Sequence, residues 1–94
     1  MEFLVHVVIN VPHEMPAKER ADLRNSEQRR AAELRTSGDL IRIWRDPGRQ
    51  ANWSLYKVRD ATTLHEVLSS LPLWPWMDIE VHTLAIHPAE SGAD

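Results

Sequence analysis

One uninterrupted stretch, residues 17–36, constrains the fold of this chain more than any other feature. It contains no glycine or proline and consists largely of Ala, Glu, Arg, Gln and Leu, which are strong helix formers. Pro16 precedes it, where a first-turn residue needs no N–H partner, and Gly38 follows, where a left-handed residue can end a helix. In a chain of 94 residues, the predicted helix must pack within a single small domain, residues 1–94.

The rest of the chain predicts four strands and a shorter second helix. β-branched and alternating patterns mark the strands, and Asp60 provides a cap for the second helix. The predicted strands span residues 3–11, 40–45, 51–58 and 77–86, the second helix spans 61–71, and the tail from His87 onward is expected to be frayed. The order β-α-β-β-α-β predicts a ferredoxin-like α+β fold, a four-stranded antiparallel sheet with both helices on one face.

The other face of that sheet is expected to stay open. If its side chains are apolar, a second sheet or subunit must cover it, as in dimeric α+β barrels. A core as thin as that of a 94-residue chain also favours a homo-oligomer. All lysines and arginines lie at or before Arg59, whereas the later part is acidic; the two parts either attract each other within or between subunits or form an ordinary solvated surface.

Composition excludes several classes of function. A net charge of −3 argues against a nucleic-acid partner, and the absence of cysteine excludes disulfides and thiolate metal sites. The five histidines show no i, i+4 pairing and no carboxylate cluster at ligand spacing, so no metal site is expected. The longest uncharged runs, 3–13 and 67–77, fall short of the roughly 18 apolar residues of a membrane span, and the start lacks a basic signal region. We therefore expect a cytoplasmic protein without a membrane partner.

Glu27 is the most informative position in the first helix. On a helical wheel it lies at about 40° from Leu23, inside an arc that also holds Leu34, Ala31 and Ala17. A carboxylate directed at a core is costly unless it is paired or neutral. Three interpretations stay open: an internal ion pair with Arg20 or Arg24 at the edge of the core, a position at an interface, or a desolvated general base in a pocket.

Other polar and aromatic residues are candidates for a site. His13 lies in the loop between the first strand and the first helix, where it is either a functional residue or a solvent-exposed turn histidine. Arg45 with Asn52 either binds a carboxylate by charge-assisted hydrogen bonds or belongs to a polar sheet edge, and Tyr56 shares a strand face with Asn52. The four tryptophans, Trp44 among them, serve either core and interface packing or the lining of a small-molecule pocket.

Several separate motifs closely resemble the muconolactone Δ-isomerase family, from the first strand to His87-Pro88. They are Asn10-Val11-Pro12-His13-Glu14-Met15-Pro16, Ser37-Gly38, Ile43-Trp44-Arg45, Gly48 with Ala51-Asn52, and Leu68-Ser69-Ser70-Leu71-Pro72-Leu73 continuing through Pro75 to Met77-Asp78-Ile79-Glu80-Val81. The resemblance implies the ferredoxin-like fold, assembly into homo-oligomers that are typically decamers, and no cofactor. The chain departs from the family at Trp53, Trp74 and Trp76, where smaller aromatics are common, and at Arg24, where lysine is common.

The activity implied by the resemblance is the conversion of (+)-muconolactone to 3-oxoadipate enol-lactone in the β-ketoadipate branch of aromatic degradation. A proton moves from ring carbon C4 to C2. Glu27 matches a glutamate of the family pattern and is the expected base, with His13 as the second choice. Arg24 or Arg45 would hold the carboxylate of the lactone, Asn52 or Tyr56 would face the ring oxygen, and aromatics such as Trp44 would exclude water.

Two alternatives remain at this stage. The first is an isomerase or dehalogenase-like enzyme that acts on a substituted or different lactone. The second is a non-catalytic small-ligand-binding module on the same fold. The position of Glu27 inside the apolar arc argues for an enzyme.

Overall fold

The structure, a computed structural model, describes residues 1–91 and has the predicted order of strands and helices. The elements are β1 (Glu2–Ile9), α1 (Ala17–Ser37), β2 (Leu40–Arg45), β3 (Ala51–Lys57), α2 (Ala61–Ser69) and β4 (Met77–Leu84), with 3₁₀ turns at Trp74–Trp76 and Pro88–Ser91. The four strands form one antiparallel sheet in the order β2-β3-β1-β4. The ferredoxin-like α+β prediction is confirmed.

Local signals set the end of α1 and the start of α2 as the sequence predicts. Gly38 adopts φ 87°, and its N–H donates to the Arg35 carbonyl, which ends α1 in the left-handed conformation. The Asp60 carboxylate accepts the Thr63 N–H at 2.8 Å and begins α2. The tail that the sequence predicts to be frayed contains a 3₁₀ turn over Pro88–Ser91, in which the N–H groups of Ala89 and Glu90 both bond to His87. Residues 92–94 lie outside the described part of the chain.

The hydrophobic core lies between the sheet and the two helices. Directly opposite residues share a sheet face, and the pairing of Phe3 with Tyr56 and of Val5 with Ser54 directs all four side chains toward the helices. The core contains buried residues from both layers: Phe3, Val5, Val7, Leu34, Leu40, Tyr56, Val58, Leu64, Val67, Leu68 and Leu71. In the described part of the chain, no helix is long and apolar enough to cross a membrane.

Helix α1 packs unevenly along its length. Leu34, near its C-terminal end, is its buried residue, whereas Leu23 and Ala31 are half-buried. Ala17 is exposed, contrary to the arc predicted from the helical wheel, because it occupies the first turn, beyond the edge of the core. The N-terminal half of α1 therefore stands off the sheet and leaves space beneath it.

The opposite face of the sheet carries no helix and presents an aromatic cluster. Trp53 lies between two histidines, with ring centroids 4.4 Å from His6 and 6.2 Å from His82. Register places Trp44 opposite Trp53, and the Arg42 guanidinium lies 4.8 Å from the centre of the Trp44 ring. This face is thus partly apolar and partly charged.

Candidate active site

A cleft of about 690 Å³ opens beneath the N-terminal half of α1, where β1 and β2 end and β3 begins. Its walls combine one sheet end, one helix face and two loops. It is lined by Ile9, Val11, His13, Arg20, Arg24, Glu27, Gln28, Ile43, Trp44, Arg45, Gln50, Ala51, Asn52 and Leu73. Three arginines and one carboxylate give the cleft a positive balance, which suits a small anionic ligand.

Glu27 stands half-buried in this cleft. Its Oε1 accepts the backbone N–H of Leu73 at 3.0 Å, from the segment that connects α2 to β4. Burial raises the pKa of the Glu27 carboxyl above its ordinary value of 4.5, and the Leu73 N–H offsets part of that effect. Within residues 1–91 Glu27 forms no ion pair with Arg20 or Arg24, so the internal ion-pair interpretation is wrong for this chain.

The side chain of Arg20 reaches back to the loop that carries His13. Its Nη2 donates to the carbonyl oxygens of Pro12, His13 and Met15 at 3.0, 3.3 and 3.5 Å. The His13 side chain is exposed and contributes to the lining of the cleft. The loop between β1 and α1 is therefore attached to the helix that also carries Glu27.

Arg45 and Asn52 face each other across the β2–β3 pair, on the side of the sheet that the helices occupy. The Asn52 Oδ1 accepts the Ser54 hydroxyl at 2.9 Å, which orients the amide and leaves its N–H groups as donors toward a ligand. The side chains of Arg24 and Arg45 form no ion pair in the described part of the chain. Two cations and one amide donor thus remain unpaired along one cleft.

Two other predicted residues take different positions. Tyr56 belongs to the core and not to the cleft lining. Burial, together with the nearby Glu27 charge, raises its pKa to about 12, and Arg30 acts in the opposite direction. Trp44 lies on the edge strand β2 at the rim of the cleft, with 39% of its surface exposed.

The structure also adds residues that the sequence analysis did not assign to the site. Arg20 had a detectable signal, since the helical period places it about 20° from Glu27 on the same face of α1. Gln28 and Gln50 line the cleft, and no pattern in the sequence distinguishes them from surface residues. Leu73 contributes a backbone N–H, which any residue except proline has, so its identity carries no signal.

The fold and the cleft define a class of protein, a small α+β enzyme with a half-buried carboxylate beside arginine side chains in one cleft. No group of three or more metal-ligating side chains is present among residues 1–91. The family model described as muconolactone delta-isomerase matches residues 1–90. The chain belongs to this family.

Individual relatives agree with the family model over nearly the full length. The muconolactone Δ-isomerase 2 of Acinetobacter lwoffii is 40% identical over 87 residues, which cover 93% of this chain and 91% of the relative. The muconolactone Δ-isomerase of Cupriavidus pinatubonensis is 39% identical, with 95% and 97% covered. A crystal structure of muconolactone isomerase at 3.3 Å resolution superposes with a TM-score of 0.90 at 36% identity, with 95% of this chain and 93% of that chain covered.

Proposed function

We propose that this chain isomerises muconolactone to 3-oxoadipate enol-lactone by moving one proton from C4 to C2. The observation that supports this function best is Glu27, a half-buried carboxylate whose hydrogen bond within residues 1–91 comes from one backbone N–H. Its raised pKa makes it a stronger base than a carboxylate in water. The family match over residues 1–90 supports the same reaction.

The reaction proceeds in two proton transfers. The Glu27 carboxylate takes the proton from C4, and the electron pair of that C–H bond forms the C3=C4 double bond. The former C2=C3 pair shifts to C1=C2, and the carbonyl oxygen of the lactone takes the negative charge. When the carbonyl re-forms, C2 takes the proton back from Glu27, so one carboxyl group serves as base and then as acid.

Two further groups have roles in this mechanism. The Asn52 amide N–H donates to the oxygen on which negative charge develops, because the Ser54 hydroxyl already occupies its carbonyl. Arg45, opposite Asn52, binds the acetate arm of the lactone, with Arg24 on the facing helix as the second cation. His13 lies in the loop at the cleft and contacts the substrate there, while Trp44 covers the rim.

We also propose that copies of the chain associate through the open face of the sheet. That face exposes Trp44 and Leu84, and half-buried Leu55 and Trp53 extend the apolar surface between them. Arg42 near one edge and Glu80 near the other allow opposite charges to meet when two copies face each other. Light scattering at micromolar concentration is expected to give a mass well above 10.8 kDa. A stable monomer would contradict the association.

The decisive experiment for the activity follows the ultraviolet spectrum of muconolactone with the purified protein. We expect conversion to the enol-lactone, and solvent deuterium is expected to enter C2 to the extent that the Glu27 proton exchanges with water. Methyl- and chloro-muconolactones serve as competing substrates, because the cleft of about 690 Å³ leaves room for a substituent on the ring. Conversion of a substituted lactone alone would replace the proposed substrate, and binding without conversion would reduce the chain to a ligand-binding module.

A further inference from the structure

One guanidinium group donates hydrogen bonds to three carbonyl oxygens of the loop between β1 and α1. Arg20 Nη2 reaches the carbonyls of Pro12, His13 and Met15, and the Met15 N–H closes back on Pro12 at 3.2 Å. Loop carbonyls ordinarily bond to water, so their convergence on one side chain restricts the path of the whole loop. The tie joins the loop to the second turn of the adjacent helix.

The same side chain carries an unsatisfied donor. Arg20 Nε is buried and has no hydrogen-bond partner, and it is the one side-chain atom of this kind among the described residues. A buried N–H without a partner is unfavourable, so the other contacts of the side chain must offset its cost. Arg20 thus keeps a conformation in which Nη2 bonds to the loop carbonyls while Nε has no partner.

Arg20 and Glu27 are fixed to the same rigid element. They lie seven residues apart on α1, about 10 Å along the helix axis and on nearly the same face, and both line the cleft together with His13. A helix of 21 residues does not change that spacing during a reaction. The tie from Arg20 to the loop thus places His13 at a defined distance from Glu27.

We propose that Arg20 is a positioning residue that acts through His13, an inference that rests on the proposed function of the cleft. Arg20 does not touch the reacting atoms. It holds the His13 loop against the cleft, so that the imidazole meets the bound lactone in one orientation while Glu27 moves the proton. Without the tie, the loop samples other positions and the substrate loses that contact in most of them.

The test is a double-mutant cycle with Arg20→Met and His13→Gln. Arg20→Met is expected to lower kcat/KM by roughly 10- to 100-fold, the cost of a displaced positioning group. In the His13→Gln background the same substitution is expected to change kcat/KM less than about twofold, because its target is already absent. Arg20→Lys is expected to recover part of the loss, since an ammonium group also donates to carbonyls. If the loss of kcat/KM in the double variant equals the product of the losses in the two single variants, the proposal is overturned.

A matched control and an activity-independent measurement complete the design. Arg29→Met removes the same charge from the same helix, where Arg29 Nη2 bonds to the Ser26 hydroxyl on the exposed side, and we expect unchanged kinetics. Amide hydrogen exchange of residues 13–15 is expected to accelerate in Arg20→Met and not in Arg29→Met. Unchanged exchange would overturn the positioning role even if activity falls. If the wild-type protein does not convert muconolactone, the proposed function fails, while accelerated exchange would still establish the tie.

Discussion

Both faces of the sheet carry ionisable side chains, but the two faces differ in whether these side chains have partners within the protein. On the open face, His6 Nε2 lies 3.0 Å from Asp46 Oδ2 and His82 Nε2 lies 2.7 Å from Glu80 Oε1. On the helix face, Glu27 accepts one backbone N–H, and Arg24 and Arg45 of the same cleft form no ion pair within residues 1–91. The open face resembles a catalytic cluster more closely in residue types, yet its histidines already have carboxylate partners.

This difference indicates where chemistry can take place. A side chain that has its partner within the protein loses that interaction when it engages a ligand, whereas an unpaired group in a cleft does not. Burial without a cationic partner is also what raises the pKa of Glu27. In the proposed function, the helix face provides the groups that bind the substrate, and the open face is the surface proposed for contact with a second copy.

The largest expected effect is the loss of turnover in Glu27→Gln. A general base contributes about 10²- to 10⁴-fold, so kcat is expected to fall by at least a hundredfold. The amide of glutamine still accepts the Leu73 N–H, so the fold is expected to persist in circular dichroism spectra. His6→Gln on the open face is the control with unchanged kcat. Near-normal turnover in Glu27→Gln would move the base to His13.

A smaller effect, on KM, is expected to distinguish two arginines that lie on the same strand. Arg45 and Arg42 both lie on β2 but point to opposite faces, toward Asn52 and toward Leu55. Loss of a charge-assisted hydrogen bond to a carboxylate is worth about 10- to 100-fold, so Arg45→Met is expected to raise KM by that range with a smaller change in kcat. Arg42→Met is expected to leave KM within about twofold. Equal effects on KM would show that the strand face does not decide substrate binding.

The third prediction concerns stability against pH. Because the pKa of Glu27 is raised in the folded state, its contribution to stability is fully present below the ordinary value of 4.5 and is lost as pH rises through the folded pKa. At pH 7 we expect a higher Tm for Glu27→Gln than for wild type, and below pH 4.5 we expect the two values to converge. Thermal unfolding at both pH values checks this. A lower Tm for the variant at pH 7 would indicate that the charge of Glu27 stabilises the fold.

The smallest effect is expected for the His6–Asp46 pair. Their side chains are 14% and 21% exposed and share one hydrogen bond, and a typical hydrogen bond within a protein contributes about 0.5–1.5 kcal/mol. Asp46→Asn is therefore expected to lower the free energy of unfolding by no more than about 1.5 kcal/mol and to leave kcat/KM unchanged. Urea unfolding and the lactone assay measure the two quantities. A large loss of activity would mean that the open face takes part in the reaction.

Local patterns along the chain were sufficient for most of the fold. The Gly38 stop, the Asp60 cap and the alternating strands act within a few residues of sequence, so the order of elements and the sheet followed directly. The prediction for β2 was correct at both ends, whereas the other three predicted strands and α2 ended one or two residues too late, because β-branched or helix-forming residues continue past the last ladder or helical bond. Local sequence signals therefore predict that an element exists better than they predict its last residue.

The sequence by itself therefore determined the elements, their order and the face on which Glu27 lies, because helical and strand periods are local properties. Only the tertiary structure decided which residues contact each face of a helix or strand. It gave Glu27 the N–H of Leu73, 46 residues away, instead of an arginine, and it tied Arg20 to the His13 loop. Asn52 and Tyr56 share one face of β3, yet one lines the cleft and the other is in the core. The reason is that α1 packs closely on the sheet near Leu34 and stands off it near Arg20, which no alternation within one strand can encode.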